Sequence, residues 1–169
     1  VILTRNIYDK SIQMHTGKWD KSATGAHEVC NKTLGIIGYG AIGSQLSVLA
    51  EAFGMRVIYY DVAEKLTLGN ARRYRTMDAV LAEADVLSLH VDGRAENKNI
   101  FGKAQFAKMK DGALFINLSR GHIVDIEALA EAVRTKKIYG AAVDFFPEEP
   151  RTNDDPFESA LMGLPNVIL

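Results

Sequence analysis

Apolar and polar positions alternate on two scales along the chain from residue 34 onward. Short apolar runs predict strands, and longer segments with apolar residues at helical period separate them. The predicted strands cover residues 34–37, 55–60, 86–91, 113–118, 139–143 and 167–169, and the predicted helices cover 41–53, 77–84, 103–109 and 126–135. This alternation favours an α/β fold, in which a doubly wound parallel sheet carries helices on both faces.

Composition narrows the classes of protein that this pattern allows. The chain has 169 residues, enough for one hydrophobic core, and 47% of them are hydrophobic. Lys and Arg (20) nearly balance Asp and Glu (21), which argues against nucleic acid or an anionic membrane as the main partner, because either would favour a concentrated cationic surface. No run approaches the ~18 apolar residues of a bilayer span. We therefore expect neither nucleic acid nor membrane as a partner.

Cysteine usage bears on location and on metal binding. Cys30 is the single cysteine, which excludes an internal disulfide and a cysteine-rich zinc site. This is typical of a reducing compartment. We expect a cytoplasmic protein without a bound metal.

A glycine-rich segment follows the first predicted strand and opens the first predicted helix. It reads Gly-Tyr-Gly-Ala-Ile-Gly from Gly38 to Gly43, and the next strand ends at Asp61. This order of strand, glycine turn, helix and acid is the fingerprint of dinucleotide binding on a Rossmann-type fold. A carboxylate at Asp61 suits the ribose hydroxyls and repels a 2′-phosphate, so NAD is predicted rather than NADP. The predicted cofactor-binding residues in this part of the chain are Gly38, Gly40, Ala41, Ile42, Gly43 and Asp61.

Residues of the kinds that bind ligands recur at the ends of the predicted strands. Gly38, Asp61, His90, Arg120 and Asp144 each lie at or just beyond such an end. Parallel strands place their carboxyl ends along one edge of the sheet, where open α/β folds bind ligands. We therefore expect these five residues to share a site.

Arg120 is the residue of this set best suited to an anionic substrate. Its planar guanidinium could grip a carboxylate through two hydrogen bonds. The alternative is an arginine that pairs with a carboxylate across a domain boundary. Glu149 follows 29 residues later in an acidic, proline-flanked loop and by itself supports no prediction.

Four separated stretches together resemble the D-isomer-specific 2-hydroxyacid dehydrogenases. They are residues 34–43, the Ser-Leu-His-Val segment at 88–91, the Phe-Ile-Asn-Leu-Ser-Arg-Gly segment at 115–121, and residues 140–150. Residues 65–70 and 152–157 resemble in particular the branch of that family that oxidises 3-phosphoglycerate. Asp92-Gly93 stands where the family usually has a proline, which predicts a more flexible loop there.

The resemblance implies a role for each matching residue. Arg120 would bind the substrate carboxylate and polarise the carbonyl. Glu149 would orient a catalytic histidine and raise its pKa. These two are the catalytic residues implied within this chain. The further cofactor contacts that the resemblance implies are His90, Leu118, Ser119, Arg120 and Asp144.

The resemblance also implies that part of the site lies outside this chain. None of the histidines stands in a segment like the family's catalytic Pro-His-Ile-Gly-Gly. Residues 1–33 are expected to be a linker or interface remnant of a truncated N-terminal substrate domain. Residues 34–169 are expected to be an NAD-binding domain truncated at its C-terminal end. This polypeptide alone should then bind a dinucleotide without turnover.

The implied activity is oxidation of 3-phosphoglycerate by NAD to 3-phosphohydroxypyruvate, in serine biosynthesis. Two alternatives remain open: a D-2-hydroxyacid dehydrogenase acting on hydroxypyruvate, glyoxylate or lactate, and a non-catalytic NAD-sensing protein of the corepressor type. The family's nucleotide domains pair, so a homodimer or homotetramer is expected. Trp19 could anchor that contact or could simply be packed.

Overall fold

Seven parallel strands form one sheet in the computed structural model, which describes residues 1–169. The strands are β1 (Thr33–Ile37), β2 (Arg56–Tyr60), β3 (Arg72–Arg73), β4 (Val86–Leu89), β5 (Ala113–Asn117), β6 (Ile138–Val143) and β7 (Val167–Ile168). Their spatial order is β3-β2-β1-β4-β5-β6-β7. Strands β2 and β3 therefore lie on one side of β1, and β4 to β7 follow one another on its other side. This reversal between β1 and β4 is the topological switch point of a doubly wound sheet.

Five helices accompany the strands: α1 (Ile7–His15), α2 (Ala41–Ala52), α3 (Met77–Glu83), α4 (Lys103–Lys108) and α5 (Ile126–Arg134). Side-chain N-caps stabilise the starts of α3 and α5: Thr76 accepts a hydrogen bond from the Ala79 N–H, and Asp125 accepts one from the Ala128 N–H. No helix has both the length and the apolar character that a membrane crossing requires.

Two hydrophobic cores lie on the two faces of the sheet. The larger contains 23 buried residues, including Val80 from α3, Phe106 from α4 and Leu129 from α5. The smaller contains 11 and joins Ala50 from α2 and Leu3 from the N-terminal segment to the sheet. The predicted doubly wound Rossmann-type fold with helices on both faces is thus confirmed.

Two elements have no counterpart among those predicted from the sequence. Helix α1 buries none of its residues, so it lacks the apolar stripe that would have indicated it. Strand β3 consists of two exposed arginines that pair with Ile58 and Tyr59 of β2. Backbone hydrogen bonding alone defines it, and this leaves no trace in the hydrophobic pattern.

The strand register aligns the carboxyl ends of the five central strands. Tyr60, Ile37, Leu89, Asn117 and Val143 are successive partners across β2, β1, β4, β5 and β6. The residues that follow this row are Asp61, Gly38, His90, Leu118 and Asp144. Five of the predicted site residues are therefore one step beyond the same row of the sheet.

Candidate functional site

The glycine turn between β1 and α2 is built by close backbone contacts. Gly38 has φ +93°, and a Cβ placed on it would lie 2.5 Å from the His90 carbonyl oxygen. A Cβ on Gly43 would overlap the Gly38 carbonyl oxygen. Glycine at these two positions lets the turn touch the end of β4 and lets α2 pack onto the turn.

Gly40 differs from the other two glycines because the space beside it is open. No atom lies within 4 Å of a Cβ placed there. Gly40 is also the N-cap of α2 and provides no side-chain hydrogen bond to the first helical N–H groups. The first helical N–H groups, those of Ala41 and Ile42 among them, therefore lack helical partners, and the positive end of the helix dipole lies behind them. This arrangement suits the pyrophosphate of a dinucleotide.

Asp61 is fixed against the glycine turn. Its Oδ2 accepts a hydrogen bond from the Tyr39 N–H at 2.7 Å, and its Oδ1 accepts one from the Ala63 N–H at 2.8 Å. An ionised carboxylate has about four acceptor sites. These two hydrogen bonds leave acceptor sites on the carboxylate for a pair of ribose hydroxyls.

A cavity of about 620 Å³ connects these residues. Its polar lining includes Gly38, Gly40, Asp61 and His90. Its apolar lining consists of Ile37, Tyr60, Val62, Ala63, Met77, Val91 and Ile100. The lining also contains Lys65, Asp92, Arg94, Glu96 and Asn97. A cavity that combines an apolar wall with convergent polar groups is typical of a cofactor site, and this one lies at the switch point between β1 and β4.

A larger and more open depression of about 890 Å³ lies beside the start of α5. Four carboxylates line it, from Asp125, Glu127, Glu148 and Glu158. Their negative charge makes it unsuitable for the pyrophosphate of a dinucleotide. Size alone therefore does not identify the cofactor site.

His90 lies in the 620 Å³ cavity as a neutral side chain. Burial lowers the pKa of its imidazole below the ordinary value of 6.5. Its Nε2 lies 2.8 Å from Ser88 Oγ, so the ring is held by a hydrogen bond within β4 and the loop that follows it. A neutral, oriented imidazole can contact a cofactor without adding charge.

The loop after β4 contributes a wall of the cavity that the sequence did not predict. Asp92 accepts hydrogen bonds from the Arg94 side chain and from the Asn97 amide, each at 2.9 Å. The hydrogen bonds from Arg94 are the main cause of the lowered pKa of the Asp92 carboxyl. Side-chain hydrogen bonds thus restrain this loop although Asp92-Gly93 lacks the usual proline. Arg94 lines the same cavity as Asp61.

Arg120 lies between the loops that follow β4 and β6. Its Nη1 donates to the Ser119 carbonyl at 2.8 Å, and its Cζ lies 5.6 Å from the centre of the Phe145 ring. A Cβ on Gly93 would lie 3.3 Å from Arg120 Cγ, so Gly93 borders the arginine on another side. Arg120 is exposed, and its guanidinium keeps N–H donors for a ligand.

The other predicted residues of β5 and β6 lie along the same edge. Ser119 is buried and donates its hydroxyl to Asn117 Oδ1 at 2.7 Å, whereas Leu118 is half exposed. Asp144 is exposed, and its N–H donates to the Asn117 carbonyl at 3.1 Å. Glu149 closes its own loop by accepting a hydrogen bond from the Phe146 N–H at 3.3 Å. These residues lie outside the lining of the 620 Å³ cavity. Gly93 stands in the chain between the lining residues Asp92 and Arg94 and lies next to Arg120.

Comparison with known proteins gives a consistent result over the whole chain. The model of the D-isomer specific 2-hydroxyacid dehydrogenase, NAD binding domain, matches residues 1–169. A D-3-phosphoglycerate dehydrogenase of Haemophilus influenzae is 49% identical over 169 residues, and D-3-phosphoglycerate dehydrogenase 1 of Saccharomyces cerevisiae is 49% identical over 177 residues. Both alignments cover 100% of this chain, but only 41% and 38% of those two proteins.

Solved structures share the fold. A D-lactate dehydrogenase with NAD+ from Lactobacillus jensenii superposes with a TM-score of 0.87 at 33% identity. The superposition covers 99% of this chain and 53% of that protein. An NAD-dependent formate dehydrogenase of Staphylococcus aureus in complex with NAD gives 0.88 at 27% identity, covering 98% of this chain and 49% of that one.

Proposed function

The chain belongs to the D-isomer specific 2-hydroxyacid dehydrogenase family as its NAD-binding domain, and on that premise we propose that the whole protein oxidises D-3-phosphoglycerate. NAD is the cofactor, and the product is 3-phosphohydroxypyruvate, the first step towards serine. The D-3-phosphoglycerate dehydrogenases of Haemophilus influenzae and Saccharomyces cerevisiae are each 49% identical to this chain. The D-lactate dehydrogenase of known structure is 33% identical, and this difference favours the phosphorylated acid as the substrate.

One observation supports the cofactor-binding part of the proposal most directly. The register aligns Ile37, Leu89, Asn117 and Val143 in one row, so that Gly38, His90, Leu118 and Asp144 follow at a single edge. Along this edge Gly40 and the start of α2 would hold the pyrophosphate of a dinucleotide, and Arg120 would lie at the end where hydride is transferred. NAD supplies the hydride acceptor when it is bound.

The chain's own residues would bind and orient the reactants. The first N–H groups of α2, from Ala41 and Ile42, hold the pyrophosphate, and Asp61 accepts hydrogen bonds from the ribose hydroxyls. His90, Leu118, Ser119 and Asp144 border the rest of the cofactor.

Arg120 provides the positive charge for the substrate. Its guanidinium binds the carboxylate of the 2-hydroxy acid with two N–H donors and polarises the oxygen on C2 as that carbon becomes a carbonyl. Glu149 orients and raises the pKa of an imidazole that accepts the hydroxyl proton. We assign that imidazole to a part of the protein outside residues 1–169, together with the substrate domain. The chain alone would then bind NAD without turnover.

We also propose that the protein is cytoplasmic. In addition, we propose that it forms a homodimer or homotetramer through this domain. Large apolar side chains are exposed on the outer face of α2 and near α1: Ile42 (69%), Leu49 (60%), Phe53 (61%) and Trp19 (68%). Apolar surface of this kind favours contact with a second copy. Sedimentation velocity of the wild type and of Phe53→Ser tests this, because the variant should shift towards the monomer. A wild-type monomer at micromolar concentration would contradict it.

A panel of substrates tests the activity. The full-length protein is assayed with NAD against D-3-phosphoglycerate, D-lactate and D-glycerate, following NADH absorbance. We expect the highest kcat/KM with D-3-phosphoglycerate. Equal or higher values with the unphosphorylated acids would assign the protein to another branch of the family. NADH binding without turnover of any acid would favour the NAD-sensing alternative.

A further inference from the structure

Phe145 differs from the aromatic residue next to it in what it packs against. Phe146 packs on the larger core and lies edge to face with Phe157, with ring centres 4.8 Å apart. Phe145 is half-buried and belongs to neither core. Its ring instead faces a cation, because Arg120 Cζ lies 5.6 Å from the ring centre. Core packing therefore does not account for an aromatic residue at this position.

The backbone brings these two side chains together. A Cβ on Gly121 would overlap the carbonyl group of Phe146, so the loops after β5 and β6 touch directly at this glycine. Arg120 precedes Gly121, and Phe145 precedes Phe146, so the contact fixes both side chains at the same junction. On another side Arg120 passes close to Gly93, where a Cβ would lie 3.3 Å from Arg120 Cγ.

The ring face gives the guanidinium a defined resting place. The face of an aromatic ring carries partial negative charge and attracts a cation within about 6 Å of its centre. Arg120 already uses one Nη1–H to hold the Ser119 carbonyl. The ring and this hydrogen bond restrain the side chain at two points. The remaining N–H donors are left for a ligand, and a side chain that is already restrained loses less freedom when it binds one.

We propose that Phe145 is a positioning residue for Arg120, whose ring face holds the guanidinium ready for the carboxylate of the 2-hydroxy acid. This inference rests on the proposed function, in which Arg120 binds that carboxylate. Phe145 would act on the acid, because its ring lies at the guanidinium that binds the carboxylate.

The test compares three variants of the full-length protein: Phe145→Leu, which removes the ring face, Phe145→Tyr, which keeps it, and Phe157→Leu, which removes a neighbouring ring that packs on Phe146. Each is assayed for kcat and KM with D-3-phosphoglycerate and NAD, for NADH affinity by fluorescence, and for Tm.

An exposed cation–π contact corresponds to roughly a two- to five-fold change in an equilibrium constant. We expect Phe145→Leu to raise the KM for the acid by about that factor, with NADH affinity unchanged. Phe145→Tyr should retain the wild-type KM, and Phe157→Leu should lower Tm without raising KM.

Several outcomes would overturn the inference. A wild-type KM in Phe145→Leu would do so, as would an equal rise in Phe145→Tyr, because the ring face would then not be the cause. An equal rise in Phe157→Leu would show that any loosening of this loop has the same effect. If Phe145→Leu does not fold, Phe145→Met replaces it in the comparison. A wild type that oxidises no 2-hydroxy acid refutes the proposed function and this inference with it, whereas an active wild type with an insensitive Phe145 refutes the inference alone.

Discussion

The same added methyl group should have opposite effects at two positions of the glycine turn. In Gly38→Ala the new Cβ lies 2.5 Å from the His90 carbonyl oxygen, on a residue with φ +93°. In Gly40→Ala it enters open space, on a residue with φ −83° and ψ −158°, an extended conformation whose negative φ does not require glycine. The first variant tests the packing of the turn, and the second tests the space beside it.

The expected changes in stability follow from the backbone. A left-handed conformation costs an alanine about 1–2 kcal/mol, and the contact with His90 adds to this at Gly38. At Gly40, loss of chain entropy in the unfolded state stabilises the alanine variant by up to about 1 kcal/mol. For a chain of this size each kcal/mol corresponds to roughly 2–4 °C in Tm. Gly38→Ala should therefore melt several degrees lower than the wild type, and Gly40→Ala at the same temperature or slightly higher.

The expected changes in binding separate the two glycines. The methyl group of Gly40→Ala occupies the space beside the first N–H groups of α2, where the pyrophosphate would lie. We expect NADH affinity to fall about tenfold or more, which is about 1.4 kcal/mol. Thermal melts without ligand and fluorescence titrations with NADH measure both quantities. A Gly40→Ala protein that binds NADH as tightly as the wild type, or that loses as much Tm as Gly38→Ala, would refute the reasoning.

Three further predictions concern other parts of the site. Asp61→Ala should weaken NADH binding and narrow the difference in affinity between NADH and NADPH, because the carboxylate that repels a 2′-phosphate is gone. An unchanged ratio of the two dissociation constants would contradict this. In the full-length protein, Arg120→Lys should lower kcat/KM for D-3-phosphoglycerate about 10- to 100-fold through loss of the two-point contact, and Arg134→Lys on the surface of α5 should have no effect. Burial lowers the pKa of His90, so the folded state binds fewer protons than the unfolded state, and the free energy of unfolding should fall as pH drops below about 6.5. Urea unfolding of His90→Gln should show a weaker fall, and identical slopes for both proteins would be evidence against a half-buried neutral imidazole.

The parts of the fold that hydrophobic burial defines were predictable from the sequence. The strands from β1 to β6, apart from β3, are apolar runs, and their carboxyl ends coincide with the predicted positions of Gly38, Asp61, His90 and Asp144. Local chemistry was sufficient here because strand, glycine turn and helix are adjacent in the chain.

Features that depend on contacts between distant segments were not predictable. The approach of Gly93 to Arg120 and the contact of Gly121 with Phe146 join loops that follow different strands, and spacing along the chain does not encode them. The hydrogen bonds of Asp92 to Arg94 and Asn97 are local, but an Asp-Gly pair is equally compatible with an open loop. The two glycine contacts depend on the folded edge of the sheet, which brings these loops together.

The central claim is that NAD lies along the carboxyl edge of the sheet, from Asp61 across the glycine turn to Arg120. The most direct test is a crystal structure of the protein determined from crystals soaked with NAD. The account predicts ribose hydroxyls on Asp61, pyrophosphate oxygens on the first N–H groups of α2, and the nicotinamide next to Arg120. A dinucleotide bound in the acidic depression beside α5, or at the amino-terminal edge of the strands, would contradict it.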